Sequence, residues 1–383
     1  MIEIIDGSME SFYKDLQGKK FFLFGAGRKA VILYHEMELE GKVHAIIDND
    51  KRLWNTQLCV GTESLPVISV EVFLEQIKGM RLSDIRMLVT TTFYAWKIIE
   101  QLDLIEELDQ LKCYIGDLLI ESYQKQTFSF TEGILKIPKK IHYCWFGGKQ
   151  IPLHLRRYMD TWKEKCPEYE IIRWDESNYD VTQNRYMREA YACGKWGFVP
   201  DYARLDIIYR EGGIYLDTDI ELFSSLDRLL CDDMFCCAVN SISIAFGLGF
   251  GAVKGHPLIK RLRDYYDGWS FYNDDGSMNL MPCYVYQNPV LKEYGFQIKN
   301  EFQRIGGAVL YPSEVAAPTG TRGLQDNFTN NTIMDHHSEL SWVSEEERKN
   351  MRDFNQYIGD RKLLPGGGIY LLKLTISQFG VCA

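Results

Sequence analysis

Two carboxylates one residue apart, Asp217 and Asp219, close the apolar run GGIYLDTDIEL at positions 212–222. Strand side chains alternate, so both carboxylates are expected on the face of Tyr215, with Ile214 and Leu216 turned the other way. Like charges at that spacing repel each other. A divalent cation held by one or two carboxylates together with substrate phosphates removes the repulsion, and hard oxygen ligands of this kind suit Mg²⁺ or Mn²⁺.

The residues just upstream fit the same chemistry. PDYARLDIIYRE, at 200–211, places Leu205, Ile208 and Tyr209 at helical spacing. Asp201 reads as the N-cap of that helix. Arg204 follows three residues later, on the same side and close to the helix start, where a cation opposes the helix dipole. An anion bound at the free N–H groups of the helix start would account for it. Gly212-Gly213 stops the helix and turns the chain into the strand.

The elements that must hold these residues alternate in type. From 137 the chain runs through IPKKIHYCWFGG, a strand entering a Gly–Gly turn, then a helix, then the strand-like YEIIRW at 169–174, then further helix. A different pattern fills the first 125 residues. There the strand KKFFLF meets Gly25-Ala-Gly27-Arg-Lys-Ala30, a helical stretch follows, and the strand VHAIID ends on Asp48. Strand, glycine turn, helix, strand and acid in that order form the βαβ nucleotide-binding pattern, so Gly25, Gly27 and Asp48 are a candidate nucleotide site. The expected organisation is a Rossmann-like domain over 1–125, a polar linker over 126–136, a second α/β domain over 137–345, and a helical extension and tail over 346–383.

Composition excludes several classes. The 383 residues carry a formal charge of −10, with 25% charged and 46% hydrophobic side chains, which is a soluble globular balance without a basic footprint for nucleic acid. Ten cysteines show no metal or disulfide spacing and read as buried thiols of a reducing compartment. No run reaches membrane-spanning length and the start lacks a signal pattern, so the expectation is a cytoplasmic protein.

Three blocks carry a resemblance: IPKKIHYCWFGG (137–148), DYARLDIIYREGGIYLDTDIEL (201–222) and DHHSELSW (335–342). In order and rough spacing they are similar to glycosyltransferase family 32, which includes capsular-polysaccharide sugar transferases and initiating mannosyltransferases, and to the clostridial glucosylating toxins. The resemblance spans over half of the chain. It implies a GT-A fold after the Rossmann-like domain, a UDP- or GDP-sugar donor, Mn²⁺ or Mg²⁺, retention of anomeric configuration, and a glycan or lipid-linked glycan acceptor in surface-polysaccharide synthesis, with peripheral contact at the inner membrane face.

Position by position, it implies that Trp145 stacks on the donor base, Asp201 bonds ribose or sugar, and Arg204 reaches the diphosphate or the sugar. Tyr215 lines the donor pocket. Asp217 is shared between sugar and metal, Asp219 is a direct ligand, and His337 (or its neighbour His336) is the late metal ligand. Ser341 and Trp342 match a segment that covers the leaving phosphate. The usual Thr-Gly-Pro segment of that family reads Gln287-Asn288-Pro289 here, so sugar identity does not carry over. Two other classes compete: an NAD(P)-dependent sugar-nucleotide oxidoreductase or epimerase working through the first domain, and a catalytically silent sugar-nucleotide-binding regulator.

Overall fold

The run KFFLF gains most by leaving water on both faces, and in the computed structural model it becomes the strand Lys20–Phe24 at the centre of a seven-stranded sheet. The structure describes residues 1–91, 93–320, 325–339 and 345–360. Two compact units emerge, one starting at Met1 and one at Tyr123.

In the first unit the sheet runs Glu3–Ile4, Lys112–Ile115, Ile85–Val89, Lys20–Phe24, Val43–Ile47, Glu63–Ile68, Gln57–Val60. All neighbours are parallel except the last two strands. From Lys20–Phe24 the chain winds outward through Val43–Ile47 to Glu63–Ile68. It then crosses back to lay Ile85–Val89 on the opposite side, which puts a topological switch point beside the Gly25 turn. The helix Glu345–Asp360 also belongs to this unit. Its Phe354 and Ile358, one helical turn apart, are fully buried in the same apolar cluster as Phe22, Phe73 and Ile99. The helix expected in an extension from 346 is thus part of the first unit, and the tail beyond 360 lies outside the described residues.

The second unit is built on a mixed sheet in the order Gln303–Ile305, Ala308–Tyr311, Met234–Asn240, Phe250–Ala252, Gly213–Tyr215, Lys140–Cys144, Glu170–Trp174. The last three are parallel, so the ends of Gly213–Tyr215 and Lys140–Cys144 open on one edge. Alternation works as expected: Tyr215 joins the apolar cluster on one face, and Ile214 and Leu216 join the other. Both units are α/β, as a Rossmann-like unit followed by a GT-A type unit requires.

The run 212–222 does not stay in one strand. It leaves the sheet after Tyr215, turns through 216–219, and resumes as Ile220–Leu222, which pairs antiparallel with Met334–His336 in a separate ribbon. The helix Leu153–Lys165 pins that ribbon. Trp162, fully buried, donates its indole N–H to the Ile220 carbonyl at 2.8 Å, and the Thr161 hydroxyl accepts from the Leu222 N–H at 2.9 Å.

Candidate metal and donor site

The helix Pro200–Glu211 delivers the first two site groups. Its N-cap is Val199, not Asp201; Pro200 takes the first helical position, where a missing N–H costs nothing. Asp201 therefore lies inside the first turn, and its carboxylate is free to meet Arg204 at 3.0 Å. Both are 4% exposed. Burial pushes the Asp201 carboxyl up to about 7 against the pull of Arg204, and the nearby Asp217 pushes in the same direction.

Gly212 ends the helix at φ 66° and Gly213 follows at φ 103°. A Cβ on Gly212 would sit 2.8 Å from the Lys254 nitrogen, and one on Gly213 would sit 2.9 Å from the Lys140 carbonyl oxygen. Backbone conformation and crowding both demand glycine, and the double turn sets the strand beside Lys140–Cys144.

At the strand's end the Tyr215 hydroxyl donates to Asp217 Oδ1 at 2.9 Å, and Arg204 lies 5.2 Å over the Tyr215 ring and 3.8 Å from Asp217 Oδ1. Across the turn, Asp219 Oδ2 accepts from the Glu339 N–H at 3.0 Å, and Asp219 Oδ1 lies 3.3 Å from His336 Nε2. One ligand atom each from Asp217, Asp219 and His336 lies within 4.8 Å of the others. Burial alone would raise the Asp219 carboxyl, but the His336 imidazolium beside it holds it below the usual carboxylate range. Burial works against a charged His336, and the attraction of Asp219, Asp217 and Asp335 overcomes it and raises the imidazole to about 9. Asp217 moves up instead, through burial and the charge on Asp219, with Arg204 opposing. His336 thus offsets Asp219, whereas the single Arg204 guanidinium is shared between Asp201 and Asp217 and compensates Asp217 only in part.

His336, rather than His337, is the histidine beside the aspartates. The ribbon register explains it: His336 lies opposite Ile220, and the next residue turns away. His337 Nε2 meets Glu221 Oε2 at 2.9 Å, and its ring stacks on Tyr158 at 4.0 Å. The Ser338 hydroxyl sits 3.1 Å from His336 Nδ1, which fixes the ring so that Nε2 faces the carboxylates.

A wall residue escaped the sequence reading. Gly247 lies between the strands Ser243–Ile244 and Phe250–Ala252, and a Cβ on it would come 2.6 Å from Asp217 Oδ2 and 2.8 Å from an Arg204 terminal nitrogen. Its neighbour Phe246 donates its N–H to the buried Gln287 side chain at 3.3 Å, so the departure at Gln287 braces this wall. The glycine-rich FGLGFG at 246–251 was the available signal.

Trp145 directly follows the strand Lys140–Cys144, at the edge where Gly213–Tyr215 also ends; its indole N–H is bonded to the Lys149 carbonyl at 2.6 Å. Ser341 and Trp342 lie outside the described residues. In the first unit, Asp48 is occupied by its own surroundings: one oxygen accepts from the Ala26 N–H at 2.7 Å and the other from the Asp50 N–H at 2.8 Å. Among the described residues there is no disulfide, and no helix is long and apolar enough to cross a membrane.

Residues 152–236, which include Arg204, Asp217 and Asp219, match the family model described as a glycosyltransferase sugar-binding region containing a DXD motif. Subversion of eukaryotic traffic protein A of Legionella pneumophila is 25% identical over 175 residues, covering 34% of this chain and 25% of that protein. Inositol phosphoceramide mannosyltransferase 3 of Schizosaccharomyces pombe is 30% identical over 127 residues, covering 32% of this chain and 35% of that protein. The chain thus spans between a quarter and about a third of the length of these curated relatives. Among solved structures, the PaToxG glycosyltransferase aligns with TM-score 0.32 and 15% identity, covering 58% of this chain and 86% of its own. A glycosyltransferase involved in the glycosylation of the major capsid of PBCV-1 aligns at 0.32 and 11%, covering 56% and 98%. The segment that carries Arg204, Asp217 and Asp219 is thus similar to the sugar-binding region of DXD-containing glycosyltransferases, and part of the chain is similar to a mannosyltransferase.

Proposed function

We propose that the second unit transfers a sugar from a nucleoside diphosphate sugar, UDP- or GDP-linked, to a glycan acceptor, with Mn²⁺ or Mg²⁺ as its resident cation. The observation that carries this reading is the convergence of Asp217, Asp219 and His336 next to Arg204, at the end of a strand inside the matched segment. Two carboxylates and one imidazole fit a small divalent ion that keeps positions open for phosphate oxygens. When bound, such an ion supplies positive charge to the diphosphate that departs.

The chain's own groups do the rest. Arg204 offers a second positive charge that needs no rearrangement, because Asp201 and the Tyr215 ring already hold it. Ser338 keeps the His336 ring aligned, and the Glu339 N–H fixes the Asp219 carboxylate. Asp201, buried at the helix start, is in place to accept a bond from a ribose or sugar hydroxyl, and Trp145 offers a ring for the base at the same sheet edge. Retention of anomeric configuration is the finer part of the reading and rests on the three-block resemblance. In that scheme the leaving phosphate takes the acceptor proton, and no side chain acts as nucleophile.

The test is release of UDP or GDP from a panel of their sugars, with and without Mn²⁺. Metal-dependent release from at least one donor is expected, and an α-linked sugar donor should give an α-linked product by NMR. Release that is indifferent to metal chelation overturns the cation assignment, and an inverted product overturns retention.

A further inference from the structure

A second concavity lies away from the carboxylates. It has a volume of about 840 Å³, within the roughly 300–1,000 Å³ of small-ligand pockets, and its lining includes Arg185, Trp269, Tyr272, Asn273, Asp274 and Asn279. We propose that this groove holds the acceptor glycan, an uncharged oligosaccharide, for the transfer proposed above; the acceptor role rests on that reading.

The groove is built rather than incidental. Its rim is a small hairpin closed by the bridge between Tyr272 and Met278, with the Asn273 N–H donating to the Ser277 carbonyl at 2.8 Å and Asp275 accepting from the Ser277 N–H at 2.9 Å. Glu189, on the helix Arg185–Ala192, ties the base of that hairpin down by accepting from the Ser270 hydroxyl at 2.7 Å and the Phe271 N–H at 2.8 Å. The shape therefore exists before any ligand arrives, which lowers the ordering cost of binding.

Its chemistry selects a sugar over other ligands. Trp269 is half-buried and Tyr272 is 40% exposed, so two aromatic rings are available to the C–H faces of pyranose rings. The amides of Asn273 and Asn279, the Asp274 carboxylate and the Arg185 guanidinium supply donors and acceptors for hydroxyls. An anionic ligand is disfavoured: Arg185 is already paired with Glu189 at 2.8 Å, and Asp274 and Asp275 add negative charge.

Position links the groove to the transfer site. Trp269 packs edge-on against Tyr286 at 4.7 Å, and Tyr286 packs against Tyr186 at 5.8 Å. Tyr186 and Asp201 are both buried, on the helices Arg185–Ala192 and Pro200–Glu211. Two buried tyrosines in succession, Tyr286 and Tyr186, thus connect Trp269 to the helix pair that carries Asp201 and Arg204.

The test probes the full-length chain on an array of neutral hexose and N-acetylhexosamine di- to tetrasaccharides. Binding of at least one glycan is expected, and Tyr272→Ala and Arg185→Ala, both on exposed side chains, should weaken it at least tenfold while melting as the wild type does. No glycan bound by the wild-type chain, or undiminished binding by both variants, overturns the proposal. Metal-dependent stabilisation by sugar nucleotides, measured on the same preparation, separates the two readings. If it fails while glycan binding responds to the variants, the groove stands as a glycan site and the transferase reading falls.

Discussion

Both units bring an acid to the end of a parallel strand beside glycines, yet the acids have opposite fates. Asp48 uses both oxygens to hold the Gly25 turn and the loop that follows it, accepting from Ala26 and Asp50. Asp217 and Asp219 are set against each other and are compensated only in part by Arg204 and His336. A carboxylate that closes a turn with backbone N–H bonds stabilises the fold. Carboxylates gathered around a common point work against it, and the arrangement makes sense when a cation completes it. A motif therefore says less than the bonds its acid has already made.

The largest expected effect follows from removing the acid at the centre of the three-residue cluster. Asp219→Ala should lower metal-dependent donor turnover roughly 10²–10³-fold, the scale of a lost charge-stabilising group. Turnover at wild-type level would place the cation elsewhere. Gly247→Ala should come next. Its Cβ meets Asp217 and Arg204 at 2.6 and 2.8 Å, and displacing such groups by about 1 Å costs on the order of 10²-fold in kcat/KM. An Ala variant with unchanged kinetics would show that this wall is slack.

The two adjacent histidines sharpen the contrast further. His336→Ala should weaken Mn²⁺ dependence by roughly 10–100-fold in apparent affinity. His337→Ala, whose ring is held by Glu221 and Tyr158, should leave that affinity almost unchanged; a metal titration of both variants decides between them.

The first unit should answer in stability. Asp48→Ala leaves two backbone N–H groups without their acceptor and should cost about 1–2 kcal/mol in urea unfolding. A variant as stable as the wild type, but altered in its response to nucleotide, would turn Asp48 from latch into ligand. The smallest effect is a pH dependence. Asp15 accepts from Arg86 at 2.7 Å and from the Tyr114 hydroxyl at 2.8 Å, and the Arg86 bond leads the forces that depress its carboxyl to about 2. Its stabilising contribution is full above the ordinary carboxylate value near 3.8 and is lost as pH falls through about 2. Acid-unfolding curves should lose that component in Asp15→Asn; an unchanged curve would place the acid sensitivity on other groups.

Legibility in the sequence followed locality. The Arg204 helix, the Gly212-Gly213 reversal and the aspartate pair are written in one contiguous run, and Asp48 follows the Gly25 turn after a single helix and strand, so spacing sufficed to read them. His336 did not. Its face depends on pairing with Ile220, 116 residues earlier in the chain, where a slip of one residue exchanges His336 for His337. The N-cap assignment failed for a nearer reason: Pro200 marks the first helical position, and that was visible beside Asp201. The helix Glu345–Asp360 was legible as a helix. Phe354 and Ile358 at a four-residue spacing signalled a buried stripe, but nothing in the spacing names the core that receives it.

The central claim is that Asp219 and His336 hold a cation that recruits a sugar nucleotide. Thermal melting of the wild type, Asp219→Ala, His336→Ala and His337→Ala with Mn²⁺ and a UDP- or GDP-sugar tests it most directly. At about 100 times the dissociation constant, binding should add about 2.7 kcal/mol to the wild type and to His337→Ala. That gain should vanish without Mn²⁺ and in the other two variants. Equal stabilisation of all four proteins, or stabilisation that survives chelation, would contradict the account.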